Sequence, residues 1–379
     1  MSDGDALDRD VAWMDRALEV AARGIGLTSP NPVVGAVLVA GERMVGEGAH
    51  LRAGGPHAEA LALAAAGPAA PGSTCYVTLE PCAHHGRTPA CAEALVAAGV
   101  ARVVVACQDP NPRVDGRGIA RLRTAGVEVR VGVRETEARA LNRAFFCFVT
   151  SGRPHVTLKS AMTLDGKIAA ADGVSRWITG EAARLLGHRL RFAADAILVG
   201  IGTVLRDDPE LTVRLPGAPA KEPLRVIADS RLRVPPDARV LAAGDPRRTI
   251  VACVAPAPAD PATALRARGI QVLELPAETG RVDLRALLLS LRRLDVVAVL
   301  AEGGSELGAG LLEAGLVDRV AFFIAPRLVG GRGAPGPIGG AGRALKEAVS
   351  LTQVVHRQIG KDILVEGDVS SPALSSEPG

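Results

Sequence analysis

The sequence is poor in aromatic residues and cysteines, and it has almost no excess of charge of either sign. Phe, Trp and Tyr make up 2% of the 379 residues, so the stacking platforms that bind single-stranded nucleic acid are scarce. Six cysteines scattered between Cys75 and Cys253 are too few and too dispersed for a disulfide framework. A net charge of +3, from 44 basic and 41 acidic residues, provides no basic stripe for wrapping nucleic acid. These features argue against a nucleic-acid partner and against a disulfide-stabilised secreted domain.

The sequence also lacks the patterns of export and of membrane insertion. The first ten residues, MSDGDALDRD, are acidic and contain no apolar stretch of the kind found in signal peptides. No apolar run reaches the length that crosses a bilayer. We therefore expect a cytoplasmic protein without a membrane partner.

The length predicts two domains. A chain of 379 residues is too long for one ordinary hydrophobic core, and 48% hydrophobic with 22% charged residues is typical of globular proteins. The segment Ser151-Gly-Arg-Pro154 has the composition of a linker. We predict one domain over residues 1–150, a second over 154–367, and a disordered Ser/Pro-rich tail over 368–379.

Both halves alternate strand and helix patterns. In the first half, a strand at 74–79 is followed by a helix at 89–98, and a closing helix is predicted over 138–148. In the second half, a strand at 196–199 ends in Gly200-x-Gly202, but Leu205 stands where a Rossmann fingerprint needs its third glycine. The pattern predicts an α/β fold in each half, without a Rossmann dinucleotide site.

The motif that organises the first half combines His57-Ala-Glu59 with Pro81-Cys82 and Cys91. One imidazole and two thiolates supply three ligands for a tetrahedral zinc and leave the fourth position for water, as in catalytic sites. The spare carboxylate, Glu59, follows the predicted ligand His57 by two residues, which suits a proton-carrying general acid and base. The pattern indicates hydrolytic deamination of a nucleobase-like ring.

Two other interpretations of these residues remain open at this stage. The histidine and cysteines could be ordinary core residues. They could also belong to a closed structural zinc site with His84, His85 or Cys75 as the fourth ligand, although this would leave Glu59 without a role.

The eight residues between the two cysteines, A-H-H-G-R-T-P-A, replace the two of the general deaminase signature. With them the chain resembles the bifunctional riboflavin-biosynthesis deaminase/reductase family, whose deaminase domain carries H-A-E and P-C-x-H-x-G-R-T-P-x-C. The resemblance extends to further segments of both halves, namely T-S-P-N-P-V-V-G at 28–35, G-E-G-A-H at 46–50, L-D-G, W-I-T, D-D-P-x-L-T-x-R, and E-G-G-S at 302–305. It also favours a pocket role for Asn31, which could otherwise be a turn residue. His50 could line the same pocket or be a loop histidine.

The resemblance implies a bifunctional enzyme, both hydrolase and oxidoreductase. The first domain would be an α/β/α zinc cytidine-deaminase-like domain that deaminates a ribosylated diaminopyrimidinone 5′-phosphate. The second would be a dihydrofolate-reductase-like α/β domain that uses NADPH to reduce the ribosyl group to ribityl. The family also implies a homodimer formed through the second domain.

Site residues of the second domain are likewise implied by the resemblance. The cofactor-binding residues would be Ala161, Trp177, Thr203, Asp207, Ser230 and Gly304. The substrate-binding residues would be Ser175, Arg191, Leu211, Arg214 and Glu302. Independently of the family, the glycines before the helix predicted at 305–314 place free N–H groups at a helix N-terminus, where a phosphate would bind. An ordinary strand-to-helix turn is the alternative there.

Two rival functions would share the zinc motif. A nucleic-acid or nucleoside deaminase with an accessory C-terminal domain would need a basic, aromatic-rich surface that the composition lacks. A non-catalytic, zinc-stabilised binding protein would contain zinc but neither release ammonia nor oxidise NADPH.

Overall fold

The computed structural model describes residues 3–83 and 90–370. The chain divides into two compact units, Met1–Gly152 and Arg153–Gly379. Each unit has its own sheet and its own hydrophobic core.

The first unit alternates helices with the strands of a single sheet. Its strands are β1 (Gly35–Ala40), β2 (Arg43–Ala49), β3 (Thr74–Val77), β4 (Arg102–Val105) and β5 (Glu128–Val131). Its helices are α1 (Asp3–Ala22), α2 (Ala58–Ala66), α3 (Cys91–Ala97), α4 (Arg117–Thr124), α5 (Glu135–Leu141) and α6 (Arg143–Ser151).

The sheet of this unit has the order β2-β1-β3-β4-β5, and helices cover both of its faces. β3, β4 and β5 run parallel, whereas β1 pairs antiparallel with β2 and β3. Successive strand side chains point to opposite faces, so Leu38 packs in the core shared with α2, α3 and α4, while Val37 packs in the core shared with α1, α5 and α6. The unit is an α/β/α sandwich, as predicted.

The second unit is built on a larger sheet. Its strands are β6 (His155–Thr163), β7 (Ala196–Gly200), β8 (Leu224–Ala228), β9 (Thr249–Val254), β10 (Gln271–Leu275), β11 (Ala277–Glu278), β12 (Arg281–Val282), β13 (Ala298–Glu302), β14 (Arg319–Ala325), β15 (Leu351–Ile359) and β16 (Asp362–Val369). Its helices are α7 (Glu181–Ala193), α8 (Ile201–Asp207), α9 (Arg239–Ala242), α10 (Ala259–Ala267), α11 (Leu284–Arg292) and α12 (Ser305–Glu313).

The nine-stranded sheet has the order β10-β9-β8-β7-β13-β6-β14-β16-β15, and β11 and β12 form a separate ribbon. The strands from β10 to β14 in this order are parallel, and β16 and β15 add an antiparallel edge. β7, β13 and β6 are neighbours, so their carboxyl ends lie along one edge of the sheet. Ligands of open α/β sheets bind at this edge.

Several predicted boundaries differ from the structure, and three of the differences concern α1, the closing helix of the first unit and the tail. The apolar residues Val11, Met14, Leu18 and Ala21 predict a helix over 10–23, whereas α1 spans Asp3–Ala22. The single closing helix predicted over 138–148 is divided into α5 and α6 at Asn142. The side chain of Asn142 is buried and exchanges hydrogen bonds with the backbone of Val33, at 2.7 and 2.8 Å, which ties this point of the chain to a segment 109 residues away.

The third difference concerns the tail. β16 continues to Val369, two residues into the tail predicted from 368, because its pairing with β15 extends to that end. The rest of the predicted tail, 371–379, lies outside the described residues. Among the helices that the structure describes, none combines the length and the apolar character needed to cross a membrane.

Candidate active sites

His57, Cys82 and Cys91 converge at one point of the first unit. His57 has an extended backbone and stands immediately before α2, Cys82 follows the end of β3, and Cys91 is the first residue of α3. His57 Nδ1 lies 3.1 Å from Cys91 Sγ and 3.7 Å from Cys82 Sγ, and the three ligand atoms are all within 4.8 Å of one another. The structure thus brings together the three residues predicted as metal ligands.

The spacing of these atoms fits zinc. With zinc–sulfur bonds of about 2.3 Å and zinc–nitrogen bonds of about 2.0 Å, neighbouring ligands of a tetrahedral zinc lie roughly 3.3 to 3.8 Å apart. Hydrogen bonding from Cys91 and from His57 holds the pKa of the Cys82 thiol well below its usual range, which favours the thiolate that binds metal. His84 and His85, considered as alternative fourth ligands, lie outside the described residues.

Glu59 lies in the first turn of α2, beside this cluster but not part of it. Its side chain is buried, with 3% of the residue exposed, and burial raises its pKa to about 7. A carboxyl group with this pKa exchanges protons readily near neutral pH. The position and the environment both suit a general acid and base.

Asn31 and His50 lie next to each other beside the cluster. His50 Nδ1 is 2.9 Å from the Pro56 carbonyl oxygen, so this nitrogen carries the proton and donates it. His50 Nε2 therefore accepts the hydrogen bond from Asn31 Nδ2, at 3.0 Å. The His50 ring also meets the His57 ring edge to face, with the centroids 5.5 Å apart. Burial lowers the pKa of His50, which keeps this imidazole neutral.

The second unit contains a cavity of about 870 Å³ between β6, β13, β14 and α7. Five residues predicted to contact cofactor or substrate line it: Ala161, Trp177, Arg191, Arg214 and Glu302. The structure therefore assembles in one cavity residues that are up to 141 positions apart in the sequence.

The other predicted residues of this unit do not line the cavity. Ser175 donates a hydrogen bond to Asp207, at 2.6 Å. Thr203 lies beside Gly304 at the start of α12, where a Cβ atom built on the glycine would be 3.8 Å from Thr203 Oγ1. Ser230 Oγ accepts a hydrogen bond from the Val282 N–H. Leu211 is 2% exposed, with its side chain packed in a core cluster.

The sequence patterns did not single out several other residues that line the cavity, among them Lys159 on β6 and His188 on α7. His188 Nδ1 accepts a hydrogen bond from the Arg214 N–H. The signal that could have identified His188 is helical spacing, because it precedes Arg191 by three residues and shares its face of α7. Lys159 has no comparable local signal.

Arg191 and Glu302 form a bidentate ion pair in the wall of the cavity, with N–O distances of 2.6 and 2.9 Å. Lys159 Nζ lies 3.6 Å from the same carboxylate. Burial alone would raise the pKa of Glu302, but the charges of Arg191 and Lys159 outweigh it and hold the pKa at about 2.

The net charge of the cavity wall favours an anionic ligand. Burial, together with the charges of Arg191 and Arg214, lowers the pKa of His188 to about 4, so this imidazole is neutral at physiological pH. The four lining cations, Lys159, Arg184, Arg191 and Arg214, then outnumber the two lining carboxylates, Glu181 and Glu302. A surplus of cations over carboxylates suits a phosphate ester.

Comparison with known proteins matches both units to known families. Residues 7–107 match the cytidine and deoxycytidylate deaminase zinc-binding region, and residues 154–365 match the RibD C-terminal domain. The riboflavin biosynthesis protein RibD of Actinobacillus pleuropneumoniae is 44% identical over 364 residues, which cover 96% of each chain. Its counterpart in Escherichia coli is 44% identical over 334 residues, which cover 85% of this chain and 89% of that protein.

Solved structures agree with the sequence comparisons. RibD of Acinetobacter baumannii superposes with a TM-score of 0.86 at 40% identity, over 96% of this chain and 100% of that one. A diaminohydroxyphosphoribosylaminopyrimidine deaminase/5-amino-6-(5-phosphoribosylamino)uracil reductase from Thermotoga maritima superposes with a TM-score of 0.84 at 34% identity, with the same coverage.

Proposed function

The chain belongs to the RibD family of riboflavin biosynthesis proteins, and on this premise we propose which substrates its two units take and which residues act on them. The protein is a bifunctional enzyme that catalyses a deaminase step and a reductase step of riboflavin biosynthesis. Its cofactors are zinc for the first step and NADPH for the second. The substrate of the first unit is 2,5-diamino-6-ribosylamino-pyrimidin-4-one 5′-phosphate, and the deaminated product is the substrate of the second.

In the first unit, His57, Cys82 and Cys91 would hold the zinc. A bound zinc supplies the Lewis acidity that makes water a nucleophile near neutral pH. Glu59 would accept a proton from the attacking water and deliver it to the departing amino nitrogen. The water oxygen forms the new bond to the ring carbon as the carbon–nitrogen bond breaks, and the amino group leaves as ammonia. The observation that carries this assignment is the buried carboxyl group of Glu59 directly beside three converging soft ligands.

In the second unit, Arg191, Arg214 and Glu302 would contact the substrate, together with Ser175 and Leu211. NADPH supplies the hydride that reduces the ribosyl C1′. The cofactor-binding residues would be Ala161, Trp177, Thr203, Asp207, Ser230 and Gly304. The surplus of positive charge in the cavity supports binding of a phosphorylated substrate, because guanidinium groups offer forked donors to phosphate oxygens.

We also propose the functional domains and an assembly. The deaminase domain comprises residues 1–150 and the reductase domain residues 154–367. The protein is proposed to form a homodimer through the second unit. Edge strand β15 supports this, since most of its residues are exposed, including Val354 and Val355, and an open edge with apolar side chains can pair with a second chain. Sedimentation analysis tests the dimer, and cell fractionation tests the predicted cytoplasmic location.

The test of the two reactions is one assay with two arms. The protein is incubated with the diaminopyrimidinone ribotide, with and without NADPH, and the products are identified by mass. The deaminated ribosyl compound is expected without NADPH and the ribityl compound with it. Cytidine and single-stranded nucleic acid serve as control substrates, and deamination of these instead of the ribotide would contradict the proposal.

A further inference from the structure

Two glutamates, each two residues from a cysteine of the metal site, connect that cysteine to helix α4. Glu80 precedes Cys82, and Glu93 follows Cys91 in the first turn of α3. Neither carboxylate belongs to the group of converging metal ligands. Both accept hydrogen bonds from α4 or from the loop that leads into it.

Glu80 accepts hydrogen bonds from four backbone N–H groups of the segment 109–119, which leads into α4. Its Oε1 accepts from Gly118 and Ile119, at 2.9 and 3.2 Å. Its Oε2 accepts from Asp109 and Gly116, at 3.2 and 3.0 Å. The residue is 4% exposed, so these hydrogen bonds are shielded from water. An ionised carboxylate has enough lone pairs for four donors, which a neutral amide has not.

The N-terminal end of α4 also packs directly on the residue before Cys82. A Cβ atom built on Gly118 would lie 1.8 Å from the Pro81 carbonyl oxygen, so only glycine permits this approach of the two backbones. The position of Pro81-Cys82 is thus set by α4 through both hydrogen bonds and backbone contact.

The same helix contacts the segment of the second cysteine. Arg121 of α4 donates two hydrogen bonds to Glu93, from Nε to Oε1 at 2.5 Å and from Nη2 to Oε2 at 2.9 Å. This fork-to-fork geometry restricts both distance and orientation. Because Glu93 lies half a turn from Cys91 on α3, the pair also restricts the start of that helix.

The spacing of the two cysteines in the sequence explains why a further element, here α4, would be needed to hold them close together. In the general deaminase signature only two residues separate the cysteines, and the chain itself keeps them close. Here eight residues intervene, so proximity in the sequence alone does not hold the two cysteines together.

We propose that Glu80 and the Glu93–Arg121 pair are positioning residues that hold Cys82 and Cys91 at zinc-binding separation by attaching both to α4. This inference rests on the proposed function, because it presupposes that the cysteines bind zinc. Replacing residues that orient the metal ligands without binding the metal themselves typically weakens metal affinity by about 10- to 100-fold.

The test measures zinc release to an excess of chelator from Glu80→Gln, Glu93→Gln and Arg121→Met in the full-length, zinc-loaded protein. Glu47→Gln is the matched control, since Glu47 accepts two hydrogen bonds from Arg16 on another helix of the same unit. Release should be about tenfold faster in Glu80→Gln, with a smaller increase in the other two variants and none in the control. Absorption spectra of the cobalt-substituted proteins, which report ligand geometry, should change in the same order.

The far-ultraviolet circular dichroism spectrum and the urea unfolding transitions of each variant, compared with those of the wild type, serve as the folding check. Glu93 and Arg121 are half-exposed, and surface pairs contribute little to stability, so their variants decide the question if Glu80→Gln does not fold. If Glu93→Gln and Arg121→Met release zinc at the rate of Glu47→Gln and give the same cobalt spectrum, this inference is overturned. The proposed deaminase function would not be affected by that result. A wild-type protein that binds no zinc would overturn the proposed deaminase, and this inference with it.

Discussion

The guanidinium group of Arg191 is held by the Glu302 carboxylate across 111 residues of sequence, with both side chains largely buried. Its third nitrogen, Nη1, donates to the Thr212 carbonyl oxygen at 2.9 Å. Arg191 is therefore a fixed part of the cavity wall. Arg214, whose side chain is more than half exposed, is the arginine better able to adjust to an incoming phosphate.

The first prediction concerns the stability of the second unit. Glu302→Gln leaves the buried charge of Arg191 without its counter-charge, and breaking a buried pair in this way costs about 3 to 5 kcal/mol. Urea unfolding near neutral pH measures the change. Glu306→Gln is the control, because its pair with Arg281 is exposed, and its effect should be under about 1 kcal/mol. Equal effects of the two substitutions would contradict the prediction.

The second prediction is the pH dependence of the difference in unfolding free energy between wild type and Glu302→Gln. The folded-state pKa of Glu302 is about 2, below its ordinary value of 4.5. A carboxyl group with a lowered pKa contributes stability that is fully present above the unfolded value and is lost as the pH falls towards the folded one. The stability difference between wild type and Glu302→Gln should therefore shrink between about pH 4.5 and pH 2. Denaturant titrations across this range test it, and a difference independent of pH would be inconsistent with the ion pair.

The third prediction concerns the metal ligands. Cys82→Ala and Cys91→Ala should each lose the zinc, because two remaining protein ligands hold the ion poorly. Cys75→Ala should retain it, since Cys75 is buried in β3 and does not belong to the group of converging ligands. Metal analysis of the purified proteins gives zinc per chain. One zinc per chain in both ligand variants would remove the basis of the zinc site.

The fourth prediction separates the two active sites. Glu59→Gln keeps the size of the side chain, but an amide cannot carry the proton to the leaving amine, so deamination should fall by at least about a hundredfold. Supplied with the amino substrate and NADPH, the variant should oxidise almost no cofactor. Supplied with the deaminated form, it should reduce it at the wild-type rate. Loss of both reactions in a folded, zinc-loaded variant would indicate one shared site.

The fifth prediction concerns the phosphate contact of the reductase. Arg214→Ala should raise the KM for the deaminated substrate by about tenfold or more, because a charge-assisted contact is lost, while ammonia release stays normal. Steady-state kinetics of both reactions test this. Arg189→Ala is the control, since Arg189 is exposed on α7 and does not line the cavity. An unchanged KM in Arg214→Ala would place the phosphate elsewhere.

Much of the architecture and of the metal site follows from local patterns. The alternation of apolar strands and amphipathic helices predicts the α/β class, because period and side-chain direction are properties of a short segment. The prediction of His57, Cys82 and Cys91 as zinc ligands, with Glu59 as proton carrier, follows from ligand chemistry and spacing. Boundaries are less predictable, as the division between α5 and α6 at Asn142 illustrates, because that division depends on a hydrogen-bonded contact with Val33.

By itself, then, the sequence determined which residue types are available for zinc and proton transfer and where the chain changes from one fold to the other. Only the tertiary structure decided that Arg191 is bound to Glu302, that Lys159 and His188 join the same cavity, and that α4 contacts the segments of both cysteines. These relationships join residues far apart in the chain. They result from the packing of whole strands and helices, for which no short stretch of sequence carries a signal.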